Sequence, residues 1–186
     1  MESIEYPFSD YFKYGVEQSK ANEAKSFAAD VVAEQERLFS ADFLIFQFPL
    51  WWFGLPAILK GWVERVFAAG LTCGGGRWYS NGVFKGKRAM LSLTTGGPPS
   101  IYSPRGLNGD MDTLLFPIQH GMLYFTGFDV LPPFVAYAVA RSTPEQRQEY
   151  LQAYAERLRS WQTTPPIPFP PLEQYDETLQ LKPDAA

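Results

Sequence analysis

The run Phe43-Leu44-Ile45-Phe46-Gln47-Phe48 constrains the fold more than any other stretch of the chain. A short strand that is apolar on both faces belongs inside a parallel sheet covered by helices. Pro49 ends the run, and a helical pattern opens near Pro56. Between them lie Trp51, Trp52, Phe53 and Gly54. Strand, aromatic corner and helix together form a βα unit. In open α/β sheets, ligands bind outside the carboxyl ends of such strands. The aromatic corner reads either as core or as the floor under a flat ligand, and the number of rings favours the floor.

The rest of the chain repeats the alternation. Ser26–Phe39 reads as a helix capped by Ser26, with Phe27, Val31, Gln35, Leu38 and Phe39 as its stripe. Pro56 suits a first helical position, and Ile58, Leu59, Trp62, Val66 and Phe67 form the stripe that follows. Close approach by another backbone would explain Gly61 in that helix, though the sequence does not prove one. Residues 69–87, with Gly74-Gly75-Gly76, read as a flexible loop or lid; without a following Lys-Ser/Thr they are not a phosphate-binding Walker motif.

Arg88–Leu93 reads as a second strand ending in Thr94-Thr95-Gly96-Gly97. Glycines there would let a ligand approach the backbone, but an ordinary turn explains Gly-Gly-Pro-Pro equally well. Asp110–Phe125 reads as a helix kinked at Pro117. A third strand lies within Phe128–Tyr137, its regular pairing confined to the part after Pro132-Pro133. Thr143 and Pro144 open a last helix with Leu151, Tyr154, Leu158 and Trp161 as its stripe. The expected order is helix, strand, helix, strand, helix, strand, helix, an α/β domain with a parallel sheet. Residues 1–25 read as irregular. Residues 163–186 form a proline-rich tail lying along the body or a partner.

Composition narrows the function. With 186 residues, 46% of them hydrophobic, a single domain with one core is expected over 1–186. The net charge of −4 and the lack of a basic patch argue against nucleic acid. No apolar run reaches the roughly 20 residues that span a bilayer, and the acidic start lacks a signal-peptide pattern. One cysteine and one histidine leave no intrachain disulfide and weaken zinc and Ser-His-Asp readings. A cytoplasmic protein without a metal site is expected.

Three motifs in order, FQFPLWWFGLPAILKGWVERVF, LSLTTGGPPSIYSPRGLNGDM and FPIQHGMLYFTGFDVLPP, resemble the NAD(P)H:quinone oxidoreductase family of DT-diaphorase type. The resemblance runs from about Tyr6 to the tail. It implies a flavodoxin-like doubly wound sheet, a homodimer, bound FAD (FMN in some relatives), and hydride passing from NAD(P)H through the flavin to a quinone. By the same resemblance, Pro49, Leu50, Trp51, Trp52 and Phe53 lie along the flavin ring, with Thr94, Thr95, Gly96 and Gly97 as a second flavin loop. Tyr102 stands near flavin N1/O2, and Arg147, after a one-residue gap, stands near the adenine end. Trp78 and Phe125 wall a substrate pocket shared between subunits, together with Phe53, Tyr102 and Asn108.

The departures are specific. Asn108 stands where the best-known members carry a histidine, and an amide cannot take up the proton an imidazole would. Cys73 and Gly75 replace lid tyrosines, and Glu5 replaces a glutamine that reaches the partner's cofactor. His120 reads as structural or interfacial. The family's opening strand, phosphate-holding loop, helix and second strand have no counterpart after Met1. The resemblance therefore implies an N-terminally shortened sheet whose first strand is an unprotected edge, with phosphate anchoring lost; a misplaced start codon would account for it. Two further readings stand beside the quinone reductase: a non-catalytic, dimerising accessory subunit, and a degraded product.

Overall fold

The computed structural model describes residues 12–183 and 185. Expectations resting on Glu5, Tyr6, Phe8 and Tyr11, and on the chain's first residues, lie outside that range. Three strands form one parallel sheet in the order β1-β2-β3: β1 (Phe43–Pro49), β2 (Arg88–Thr94) and β3 (Asp129–Ala136). Helices α1 (Tyr14–Ala24), α2 (Ala29–Ser40), α3 (Ala57–Val66), α4 (Met111–Ile118) and α5 (Pro144–Arg159) surround it. From α2 onward the α/β architecture follows the expected alternation.

Residue choice explains most of the sheet. Every residue of β2 from Ala89 to Leu93 is buried, as a central strand requires. The core packs Phe46, Phe48, Val63, Val66, Leu91, Leu115 and Phe128 together. β1 alternates instead. Leu44, Phe46 and Phe48 face that core, whereas the opposite face meets α5 and the turn after it: Tyr154 Oη donates to Gln47 Oε1 at 3.2 Å, and Phe43 stacks on Trp161 at 4.8 Å. β1 and β3 are the two edges of the sheet among the described residues. Strand β3 accommodates Pro132-Pro133 by a register shift opposite Met90–Ser92, and it pairs both before and after the prolines rather than only after them.

Other expectations are corrected. Residues 14–24 are helical, not irregular. Helix α1 buries no side chain; polar contacts dock it. Tyr14 Oη and Gln18 Nε2 donate to the Glu64 carbonyl at 3.2 and 2.7 Å, and Asn22 Nδ2 donates to Gly70 O at 3.3 Å. Such a helix has no apolar period to read. Ser26 does not cap α2, because its backbone N–H closes the end of α1 on Ala21 O. No atom of another segment stands within 4 Å of a Cβ built on Gly61, so close backbone approach does not explain that glycine. Ile58 and Leu151, expected in buried stripes, are 87% and 63% exposed.

The loop 69–87 is folded into tight turns rather than loose. Arg77 Nη2 donates to Gly70 O at 2.8 Å and Arg77 Nε to Gly74 O at 3.2 Å. After Pro117, the α4 helix continues as one π-helical turn, Gln119–Tyr124, which is how the chain absorbs the proline. Thr143 and Gln146 form a full capping box on α5. The tail lies along the body: Ile167 N–H donates to Val130 O at 2.7 Å, and Leu172 N–H donates to Ser80 Oγ at 3.0 Å.

Candidate functional site

The C-terminal ends of the three strands converge on one edge. Leu50 N–H donates to Thr94 O at 2.9 Å, Thr95 N–H to Ala136 O at 3.0 Å, and Ala138 N–H to Gly97 O at 3.0 Å. These bonds hold Pro49–Leu50, Thr94–Gly97 and Ala136–Ala138 side by side. The Thr95 hydroxyl turns inward and donates to Gly97 O at 2.8 Å, so its side chain serves the loop itself. A Cβ on Gly97 would stand 2.4 Å from Ile101 Cδ1, so Gly97 and Ile101 pack closely within the loop.

Above this edge the aromatic corner is strained and exposed. Trp51 and Gly54 close a two-residue turn with reciprocal backbone bonds of 3.3 and 2.9 Å. Both central residues have positive φ, Trp52 at 50° and Phe53 at 59°. Turns of this kind favour Asn-Gly, and bulky side chains in the left-handed region are unusual. Trp52 is 99% exposed, and Trp51 and Phe53 are also exposed. Backbone strain combined with exposed rings shows that these side chains are not part of the core.

Two grooves flank β1. One, of about 520 Å³, is lined by Pro49, Thr94, Ala136, Arg147, Tyr150 and Tyr154. The Arg147 guanidinium forms no ion pair among the described residues. The other, of about 590 Å³, runs from Leu44 to Trp51 and is walled by Ile58, Leu59 and Trp62. Tyr102 ends a short 3₁₀ turn beside Tyr137, their ring centroids 6.0 Å apart. The Asn108 backbone N–H donates to Ile101 O at 2.9 Å. The side chains of Tyr102 and Asn108 form no hydrogen bond among the described residues.

Trp78 and Phe125 are elsewhere. They precede β2 and β3, at the opposite end of the strands from Thr94–Gly97. Seven-residue strands span about 23 Å, so one chain does not bring these two side chains to Tyr102 and Asn108. They line a separate pocket of about 320 Å³ with Tyr79, His120, Tyr124 and Tyr175. Sequence reading missed the pocket as a unit, because its walls come from three distant segments. The aromatic spacing of His120, Tyr124 and Phe125 on one turn was the available signal. Burial lowers the His120 pKa below the ordinary histidine value and raises that of Tyr124.

Comparison with known proteins agrees with this architecture. A family model of the flavodoxin-like fold matches residues 6–161. NAD(P)H dehydrogenase [quinone] 1 of Rattus norvegicus is 44% identical over 172 residues, covering 92% of this chain and 63% of the relative. The chain thus spans less than two thirds of that relative's length. Ribosyldihydronicotinamide dehydrogenase [quinone] of Homo sapiens is 43% identical, covering 86% of this chain and 69% of the relative. A crystal structure from Klebsiella pneumoniae, provisionally assigned as a quinone reductase, superposes with a TM-score of 0.91 at 45% identity. It covers 96% of this chain and 73% of that one. The chain belongs to the NAD(P)H:quinone oxidoreductase family of flavodoxin-like proteins.

Proposed function

We propose that this protein is a flavin-dependent NAD(P)H:quinone oxidoreductase of the cytoplasm that works as a homodimer. The strained, exposed Trp52-Phe53 turn beside the Thr94–Gly97 loop carries the reading. The residues present fit a flavin ring. Trp52 and Phe53 offer flat apolar faces, and Gly96 has no neighbouring atom within 4 Å of a built Cβ, leaving its backbone open. Bound flavin would supply two-electron hydride chemistry between NAD(P)H and a quinone.

The chain's own groups have distinct tasks. Pro49, Leu50 and Trp51 shape the edge on which the ring would rest. The Tyr102 hydroxyl and Asn108 amide, both without a side-chain hydrogen bond among the described residues, are donors for charge developing on a reduced ring or acceptor. Asn108 holds an oxygen but cannot store a proton. Arg147, with no carboxylate partner among the described residues and in the same groove as Pro49 and Thr94, suits the adenine end of FAD, where a guanidinium can bond the diphosphate. Trp78 and Phe125 serve as walls of the acceptor pocket only if a second copy presents them to the flavin face.

The test is to add FAD or FMN to the purified protein and follow quenching of flavin fluorescence. A retained flavin spectrum after desalting, with NAD(P)H-dependent reduction of a quinone, is the expected result. Loss of binding in Trp52→Ala would locate the flavin. A protein that neither flavin binds overturns the reading and favours the accessory-subunit alternative, for which the open β1 edge is the supporting feature.

A further inference from the structure

The loop after β2 is held by one short segment. Thr95 N–H donates to Ala136 O at 3.0 Å, Val139 N–H to Thr95 O at 3.4 Å, and Ala138 N–H to Gly97 O at 3.0 Å. Every backbone bond that ties Thr95–Gly97 to another segment among the described residues thus ends on residues 136–139. That segment needs a hold of its own. Strand β3 ends at Ala136, and Ala138 turns the chain with φ at 51°, a left-handed conformation for a residue with a side chain. Tyr137 lies between them, past the last rung of the ladder, so its N–H and C=O need partners from outside the sheet.

Both groups find the same partner. The Tyr150 hydroxyl accepts from Tyr137 N–H at 3.1 Å and donates to Tyr137 O at 3.2 Å. A phenol suits this double task, because one oxygen carries both a proton and acceptor lone pairs. Tyr150 itself stands on a helix with a fixed start: the Thr143–Gln146 capping box sets where α5 begins, and the Tyr150 ring meets Phe134 of β3 edge-on at 6.5 Å. Arg147 lies one turn earlier and lines the same groove. On the other side, the Tyr137 ring stands 6.0 Å from that of Tyr102. One hydroxyl therefore joins α5 to both the Thr95–Gly97 loop and Tyr102.

We infer that Tyr150 is a positioning residue of the flavin site. Its hydroxyl, acting through the backbone of Tyr137, holds Thr95–Gly97 in the shape that receives the ring, without touching the cofactor itself. The inference rests on the flavin reading given above.

Tyr150→Phe keeps the ring and removes only the hydroxyl, so the circular dichroism spectrum should not change. Backbone amide relaxation, measured by NMR on the flavin-free protein, reads the loop directly. Order parameters at Thr95, Gly96, Gly97 and Ala138 should fall from rigid values of about 0.85 toward about 0.6, while Leu91 in the middle of β2 keeps its native value. Tyr154→Phe removes a hydroxyl from the same helix that bonds the Gln47 side chain instead, and it should leave the loop as rigid as before. Fluorescence titration then reads the consequence. Losing the hydroxyl should weaken FMN and FAD by the same factor, about fivefold, because the loop faces the ring that the two flavins share. Unchanged loop order parameters in Tyr150→Phe overturn the inference, and so does full affinity of that variant for both flavins. A native protein that binds neither flavin removes the reading on which the inference rests, a result distinct from binding that fails only in Tyr150→Phe.

Discussion

Trp51 and Gly54 exchange two backbone hydrogen bonds, of 3.3 and 2.9 Å, across a turn whose two central residues are Trp52 and Phe53, both with positive φ. Left-handed backbone costs a residue with a side chain roughly 1–2 kcal/mol. The turn is therefore a local sacrifice of stability that keeps two rings in solvent above the strand ends. Replacing the pair by the Asn-Gly dipeptide that such turns favour, Trp52→Asn with Phe53→Gly, should relieve it. The double variant should gain about 1 kcal/mol, a rise in Tm of about 2–4 °C, and lose flavin affinity. Thermal denaturation and flavin fluorescence titration check the two halves; a variant that loses stability would show that the rings support the fold after all.

Two glycines with opposite surroundings should respond in opposite directions. A Cβ on Gly82 would lie 2.4 Å from Gly127 N and 2.5 Å from Gly127 Cα, backbone atoms that cannot swing aside. Gly82→Ala should cost about 3 kcal/mol through overpacking. Gly61, in α3, meets nothing within 4 Å, and its backbone is ordinary helix. Gly61→Ala should add about 1 kcal/mol. Urea denaturation of both variants measures the contrast; a neutral Gly82→Ala would mean that the turn at Thr126–Gly127 yields.

These features separate what the sequence shows from what it hides. The three strands were legible because a buried parallel strand is apolar throughout, and Thr143-Pro144 declared α5 by cap chemistry. Helix α1 was not, because Gln18 and Asn22 dock it through polar bonds to Glu64 and Gly70 and leave no apolar period. Ile58 and Leu151 followed a helical stripe yet remain exposed, since their stripes point into grooves beside the β1 edge. At the site, Pro49, Thr94 and Gly97 were readable as strand ends. The Tyr79–His120 pocket was not, because it forms only where a turn, a π-helical turn and the tail meet.

Acid should weaken the fold through His120. Burial lowers its folded pKa below the value of 6.5 it has when unfolded. The unfolded chain then binds more protons between the two values, so stability is full above about pH 6.5 and falls as pH drops through the folded pKa. Stability measured by urea denaturation from pH 7.5 to pH 5 should decline in the native protein, and less in His120→Leu. NMR titration of the single histidine should give a midpoint below 6.5. A midpoint at or above 6.5 would contradict the burial seen around the ring.

Arg147 should separate the two flavins. Its guanidinium has no carboxylate partner among the described residues and lines the groove shared by Pro49 and Thr94. FAD extends beyond the flavin ring by a diphosphate and an adenosine, whereas FMN ends at one phosphate. A charge-assisted bond to phosphate contributes about 1.5–3 kcal/mol, and 1.4 kcal/mol corresponds to a factor of ten in affinity. Arg147→Ala should therefore weaken FAD about tenfold or more and leave FMN nearly unchanged. Arg147→Lys should recover part of the loss, since the charge remains but the planar fork does not. Exposed α5 tolerates either change, as it buries no side chain of its own, so a difference in binding cannot be assigned to unfolding. Fluorescence titration with both flavins decides: equal weakening would place Arg147 at the phosphate common to them, and no weakening of either would remove it from the cofactor site.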